Sequence, residues 1–156
     1  RKRIEQQLKL GGISIAEVEI PLKSRDELPP ILMALKHLYV TPELQAEAFR
    51  ILEEKILSGK KKTGRNGMEL WHILVLSVVR MGLDADYDRL EDFANHHNLI
   101  RQIMSVETEF GKGKVFSMQS IKDNVSLLDA ETINKINDLT VKEGHHLVKK
   151  KAKGSV

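Results

Sequence analysis

The chain contains no cysteine, which excludes disulfide staples and thiolate metal sites and is compatible with a reducing cytoplasm. Aromatic residues make up only 4% of it, so the core has to be assembled from Leu, Ile, Val and Met. Proline is scarce, and three of its four copies (Pro21, Pro29 and Pro30) fall in the first 30 residues, where they oppose a long helix. No apolar run approaches the ~20 residues that span a bilayer. The strongest, Leu70–Val79, is interrupted by His72 and Ser77 and stops at Arg80. The opening Arg1-Lys2-Arg3 is followed by no apolar segment of the kind a signal peptide needs. The expectation is a soluble, cytoplasmic protein with no membrane partner.

What is present is a globular composition. With 156 residues and 41% hydrophobic content the chain can bury a sizeable core as one domain with appendages. The net charge of +3 is small, but it is segregated. Basic clusters lie at Arg1–Arg3, at Lys60, Lys61, Lys62 and Arg65, and at Lys149, Lys150, Lys151 and Lys153. An acidic stretch, Asp84, Asp86, Asp88, Glu91 and Asp92, sits between the last two. Separated basic clusters suit a polyanionic partner, and solvated tails and loops explain the same charges.

Apolar periodicity predicts an all-α, compact multi-helix bundle with an extended N-terminal arm over residues 1–30. Within that arm Ile13 to Ile20 reads as a short extended segment. A helical domain follows over residues 31–146, beginning with a short helix at Ile31–Tyr39. Thr41-Pro42 then reads as an N-cap and first helical residue, with Phe49, Leu52 and Ile56 on the inner face of that helix. Met68 to Met81 is apolar nearly all round, which predicts a central helix ended by Gly82. Asp84 or Asp86 caps the next, with Tyr87, Leu90, Phe93 and Ala94 inward, and Asn98 restarts a further turn. After a loop containing Gly111 and Gly113, Ser117 caps a helix with Met118, Ile121, Val125 and Leu128 on one stripe. Asp129 caps the last helix, which carries Ile133, Ile136, Leu139 and Val141. Residues 147–156 read as a basic linker.

Most motifs that suggest chemistry fail on their own requirements. Asp84, Asp86 and Asp88 open like a calcium loop, but Arg89 and Asn95 stand where glycine and glutamate are needed. Gly59 and Gly64 have P-loop spacing without the following Lys-Ser/Thr. Neighbouring histidines on a helix, as at His96-His97 and His145-His146, point about 100° apart and do not chelate one ion readily. His72 reads as a satisfied core histidine. No spacing identifies a nucleophilic triad, so no catalytic residue, metal ligand, resident cofactor or small-molecule substrate is expected.

Two features remain. Lys60, Lys61, Lys62, Arg65 and Asn66 lie in a glycine-punctuated stretch able to neutralise phosphates and reach base edges. An interhelix loop in solvent is the bland reading of it. Ser117, Gln119, Ser120 and Lys122, flanked by Asn124, form the outward side of a helix start suited to phosphate and base contacts. An ordinary amphipathic helix has the same pattern.

Several ordered blocks carry a resemblance. KSRDELPP (Lys23–Pro30), VTPEL (Val40–Leu44), GKKKTGRNGMELWHILVLSVVR (Gly59–Arg80), DYDRL (Asp86–Leu90), QSIKDNVSLL (Gln119–Leu128) and GHHLVKKK (Gly144–Lys151) occur in this sequence. In that order they resemble the N-terminal region of bacterial insertion-sequence transposases of the ISNCY type, in the DDE (RNase H-like) class. Asn66 departs from the pattern, where proline is expected in many relatives. The resemblance implies a DNA-binding domain with helix-turn-helix character that recognises the terminal inverted repeats of the element. It implies that the three catalytic acids and their divalent metal ions belong to a downstream domain, expected to begin about where KKKAKGSV stands. On this reading the chain recognises double-stranded DNA without cutting it. The alternatives are a helical module that assembles transposase subunits as a homo-oligomer, or a truncated product that represses transposition.

Overall fold

Pro29 and Pro30 sit in the first turn of α1 (Leu28–Val40) rather than before it. The first turn needs no intrahelical N–H donors, so proline costs little there, and α1 starts inside the stretch read from sequence as an arm. The structure, a computed structural model, describes residues 3–4, 14–21, 26–57, 68–108 and 111–148. Ahead of α1, Ile15–Glu17 forms a single 3-10 turn with Ile15 and Val18 buried, in place of the extended segment. Lys36 of α1 holds this turn by donating to the Val18 carbonyl at 2.9 Å.

The fold is all-α. Helices α2 (Pro42–Leu57), α3 (Leu70–Leu83), α4 (Tyr87–His96), α5 (Asn98–Ile103), α6 (Met118–Val125) and α7 (Ala130–Val141) complete the described helices. An antiparallel pair of two-residue strands, β1 (Glu107–Thr108) and β2 (Gly111–Lys112), occupies the expected loop. Thr41 faces backward: its hydroxyl donates to the His37 carbonyl at 2.8 Å, closing α1, while its own carbonyl accepts the first bond of α2 from Gln45.

Every residue of α3 from Leu70 to Val79 is buried. Full burial of a Leu, Ile or Val is worth roughly 1.5–3 kcal/mol, so α3 is the pivot against which α1, α2, α4, α6 and α7 pack. Gly82 does not end α3. The helix runs on to Leu83, and Asp84 makes the left-handed closing turn at φ 51°. Gly82 instead permits close approach, since a Cβ there would lie 2.5 Å from Ile31 Cδ1 of α1.

Three side-chain N-caps follow the sequence closely. Asp86 accepts from the Arg89 N–H at 2.8 Å, Ser117 from Ser120 at 3.1 Å and Asp129 from Thr132 at 2.9 Å. After α7, Gly144 adopts φ 82° and the chain folds back, so that Leu147 and Val148 enter the core. The packed body thus continues through two residues that the sequence assigns to the basic linker.

Candidate nucleic-acid interface

Helix α6 is short, and its sequence divides cleanly. Ile121 and Val125 are buried, with α3 and α4 as the helices it packs against. Ser117, Gln119, Lys122 and Asp123 are exposed on the other side. The Ser117 hydroxyl is committed to the cap, and Ser120 is half-buried. Gln119 Nε2 donates to Asp123 Oδ1 at 2.8 Å, one turn along. Asn124 does not share this face: it is 9% exposed and donates to the Ser120 carbonyl of its own helix at 2.7 Å. The outward groups able to meet a partner therefore reduce to Gln119 and Lys122, with Ser117 at the rim.

Lys114, outside the candidates that the sequence pattern marks, adds an exposed cation just before α6, its Nζ 5.7 Å from the centre of the Phe116 ring. Its signal was available in the basic, glycine-containing run ahead of Ser117. Asp123 works in the opposite direction by placing a carboxylate on the same face. The surface is polar and close to charge-balanced, which favours hydrogen-bonded recognition over bulk attraction to polyanions.

The other basic candidates, Lys60, Lys61, Lys62 and Arg65, together with Asn66, lie outside the described residues, as do Arg1, Lys2 and the lysines from 149 onward. Arg3 is not a free cation. Its guanidinium bonds Glu53 of α2 at 2.7 and 3.2 Å and lies 5.6 Å from the Phe49 ring centre.

An open cleft of about 410 Å³ is lined by Asp26, Glu27 and Leu28 at the start of α1, by Leu83, and by Arg89, Phe93 and His97. Burial pushes the His97 imidazolium below its ordinary value, opposed by its backbone hydrogen bond and by Asp92. Its Nδ1 accepts from the Ile100 N–H at 3.4 Å, which requires an unprotonated Nδ1. The lining carries no hydroxyl or thiol nucleophile. His145 stacks on His37 with ring centres 4.1 Å apart, and Asp86 serves as a cap. Among the described residues no group of three histidine or acidic side chains is arranged to hold a metal, and no helix is long and apolar enough to cross a membrane.

Comparison with family models, with curated proteins and with solved structures finds no match to this chain.

Proposed function

We propose that the chain is the DNA-binding region of an insertion-sequence transposase, recognising the terminal inverted repeats of its element as duplex DNA. The observation that carries this reading is the α6 surface. A capped helix start, pinned by its apolar side to α3 and α4, turns Gln119 and Lys122 to solvent next to Lys114. Gln can pair bidentately with adenine and Lys with guanine or phosphate, and a helix is the element that fits a major groove. In this reading α6 is the groove-facing helix, and α4, which packs directly on it, braces it from behind. The ordered sequence blocks and the basic stretch Lys60–Asn66 support the same partner. No cofactor enters this role, and cleavage chemistry is assigned to the family's catalytic domain.

The test is a gel-shift titration over increasing salt, comparing the terminal repeat with a shuffled duplex of equal length. The repeat is expected to bind more tightly at every salt concentration. Equal affinity for both duplexes would end the sequence-specific part of the proposal. Assembly of transposase subunits is the weaker reading, because the apolar helix faces are largely spent on the shared core. Light scattering separates the two, since a stable oligomer indifferent to DNA would favour assembly.

A further inference from the structure

Asn95, near the end of α4, is only 9% exposed and spends both ends of its carboxamide on the backbone of a single residue. Its Nδ2 donates to the Phe116 carbonyl at 2.8 Å, and its Oδ1 accepts from the Phe116 N–H at 2.7 Å. A paired strand would offer the same two bonds. Phe116 immediately precedes Ser117, the N-cap of α6. Its buried ring packs nearly perpendicular to that of His72 on α3, with centres 5.6 Å apart. The backbone entering α6 is therefore held from α4 through a side chain and from α3 through a ring contact, one residue ahead of the helix cap.

We propose that Asn95 is the positioning residue of the α6 surface, setting the direction in which Gln119 and Lys122 are presented and hence the selectivity among duplex sequences. This rests on the DNA-binding reading above. The physical reason is a difference in tolerance. Phosphate attraction survives a small rotation of the helix, because it is long-ranged and many lysine rotamers satisfy it. Hydrogen bonds to base edges do not, since they need their donors and acceptors held to within about 0.5 Å. A lesion at Asn95 should thus remove discrimination while leaving general affinity in place.

Asn137 provides the control. It is 0% exposed and makes a similar clamp elsewhere, donating to the Val148 carbonyl at 2.9 Å and accepting from the Leu147 N–H at 2.7 Å. Asn95→Ala and Asn137→Ala each strand buried backbone groups, so both should destabilise the fold, but only the first lies at the entrance to α6. Asn95→Asp keeps an acceptor for the Phe116 N–H, loses the donor, and carries the test if the alanine variant does not fold.

Two measurements on the full chain decide the matter. Amide exchange over Ser117–Ile121, corrected for the change in global stability, is expected to accelerate about tenfold in the Asn95 variants and to stay unchanged in Asn137→Ala. Duplexes selected from a random pool on the native chain, tested against shuffled versions, are expected to lose about tenfold in preference with the Asn95 variants only. Binding to the shuffled duplexes should hold within about twofold. Unchanged exchange over Ser117–Ile121, or equal loss of preference in Asn137→Ala, would overturn the positioning role. A native chain without preference for any duplex would defeat the DNA-binding reading and the selectivity half of this proposal together. The exchange measurement would still decide whether Asn95 positions α6.

Discussion

Trp71 donates its indole N–H to the Ile103 carbonyl at 2.7 Å, in the interior of the protein and across 32 residues of sequence. The next residue of α3, His72, places Nε2 2.9 Å from the Met104 carbonyl. A carbonyl only accepts, so that nitrogen carries the hydrogen. Neighbouring residues of one helix thus satisfy neighbouring carbonyls at the C-terminal end of α5, where intrahelical partners run out. Arg101, 1% exposed, does the same for α4 by donating to the Ala94 carbonyl at 2.7 Å. Buried polar side chains here terminate helices that no glycine stops.

Trp71→Phe keeps most of the ring volume and strands the Ile103 carbonyl. A loss of about 1–3 kcal/mol is expected, read as a lower urea midpoint with the slope unchanged. A midpoint equal to that of the native chain would show that this hydrogen bond adds nothing.

Two glycines should respond differently to alanine. A Cβ at Gly113 would lie 2.1 Å from the Val106 carbonyl oxygen, a backbone atom that cannot move alone. Gly113→Ala is expected to cost about 2 kcal/mol or more. At Gly82 the obstacle is the tip of the Ile31 side chain. There the ~1 kcal/mol gained in helix propensity offsets much of the clash, so Gly82→Ala should be nearly neutral. Thermal melts of both variants test the ordering, and a larger loss at Gly82 contradicts it.

Acid should weaken the fold in two stages. His97 has a folded pKa held below its ordinary value of 6.5, chiefly by burial. The unfolded chain therefore binds the proton more readily, and this contribution, full above pH 6.5, falls away as pH drops below it. Asp129 is held well below its ordinary 3.8 by its bonds from Thr132, then by Lys55, so its contribution persists above that value and is lost further down. Asp129→Asn can retain the cap and should remove the second stage. Asp129→Ala should also lose about 1 kcal/mol at neutral pH. Urea midpoints measured from pH 7.5 to about 1.5 would reveal both stages, and a flat profile would refute them.

On the proposed DNA surface, Lys122→Ala should lower affinity for all duplexes and reduce the slope of log affinity against log salt by about 1. Gln119→Ala should instead relax preference between sequences and leave the slope alone. Neutralising Lys60, Lys61, Lys62 and Arg65 together should flatten the slope by up to about 4. Unaltered slopes in both lysine variants would place the DNA contact elsewhere or nowhere.

The apolar periodicity by itself determined the all-α class, the central position of α3 and the inward faces of α2, α4, α6 and α7, except that Val141 at the end of α7 is exposed because the chain turns away there. Those are local signals, because a stripe of Leu, Ile and Val on one helix face has only burial to satisfy it. The caps at Asp86, Ser117 and Asp129 were equally legible, since each bond closes within three residues. The outward polar row of α6 was readable as far as Gln119 and Lys122. Spacing puts Asn124 on its flank and does not reveal that its amide turns back to the Ser120 carbonyl.

What only the tertiary structure decided is how irregular segments are held. Nothing in the spacing of Asn95 and Phe116, or of Asn137 and Leu147, marks them as partners, yet these contacts direct the chain into α6 and out of α7. Gly82 looked like a helix stop from its neighbours in sequence and is a point of close approach from its neighbours in space. For the two asparagine clamps the reason is the same. Buried backbone donors and acceptors must be paired wherever the chain happens to bring them, and that meeting is set by packing rather than by any local pattern of residues.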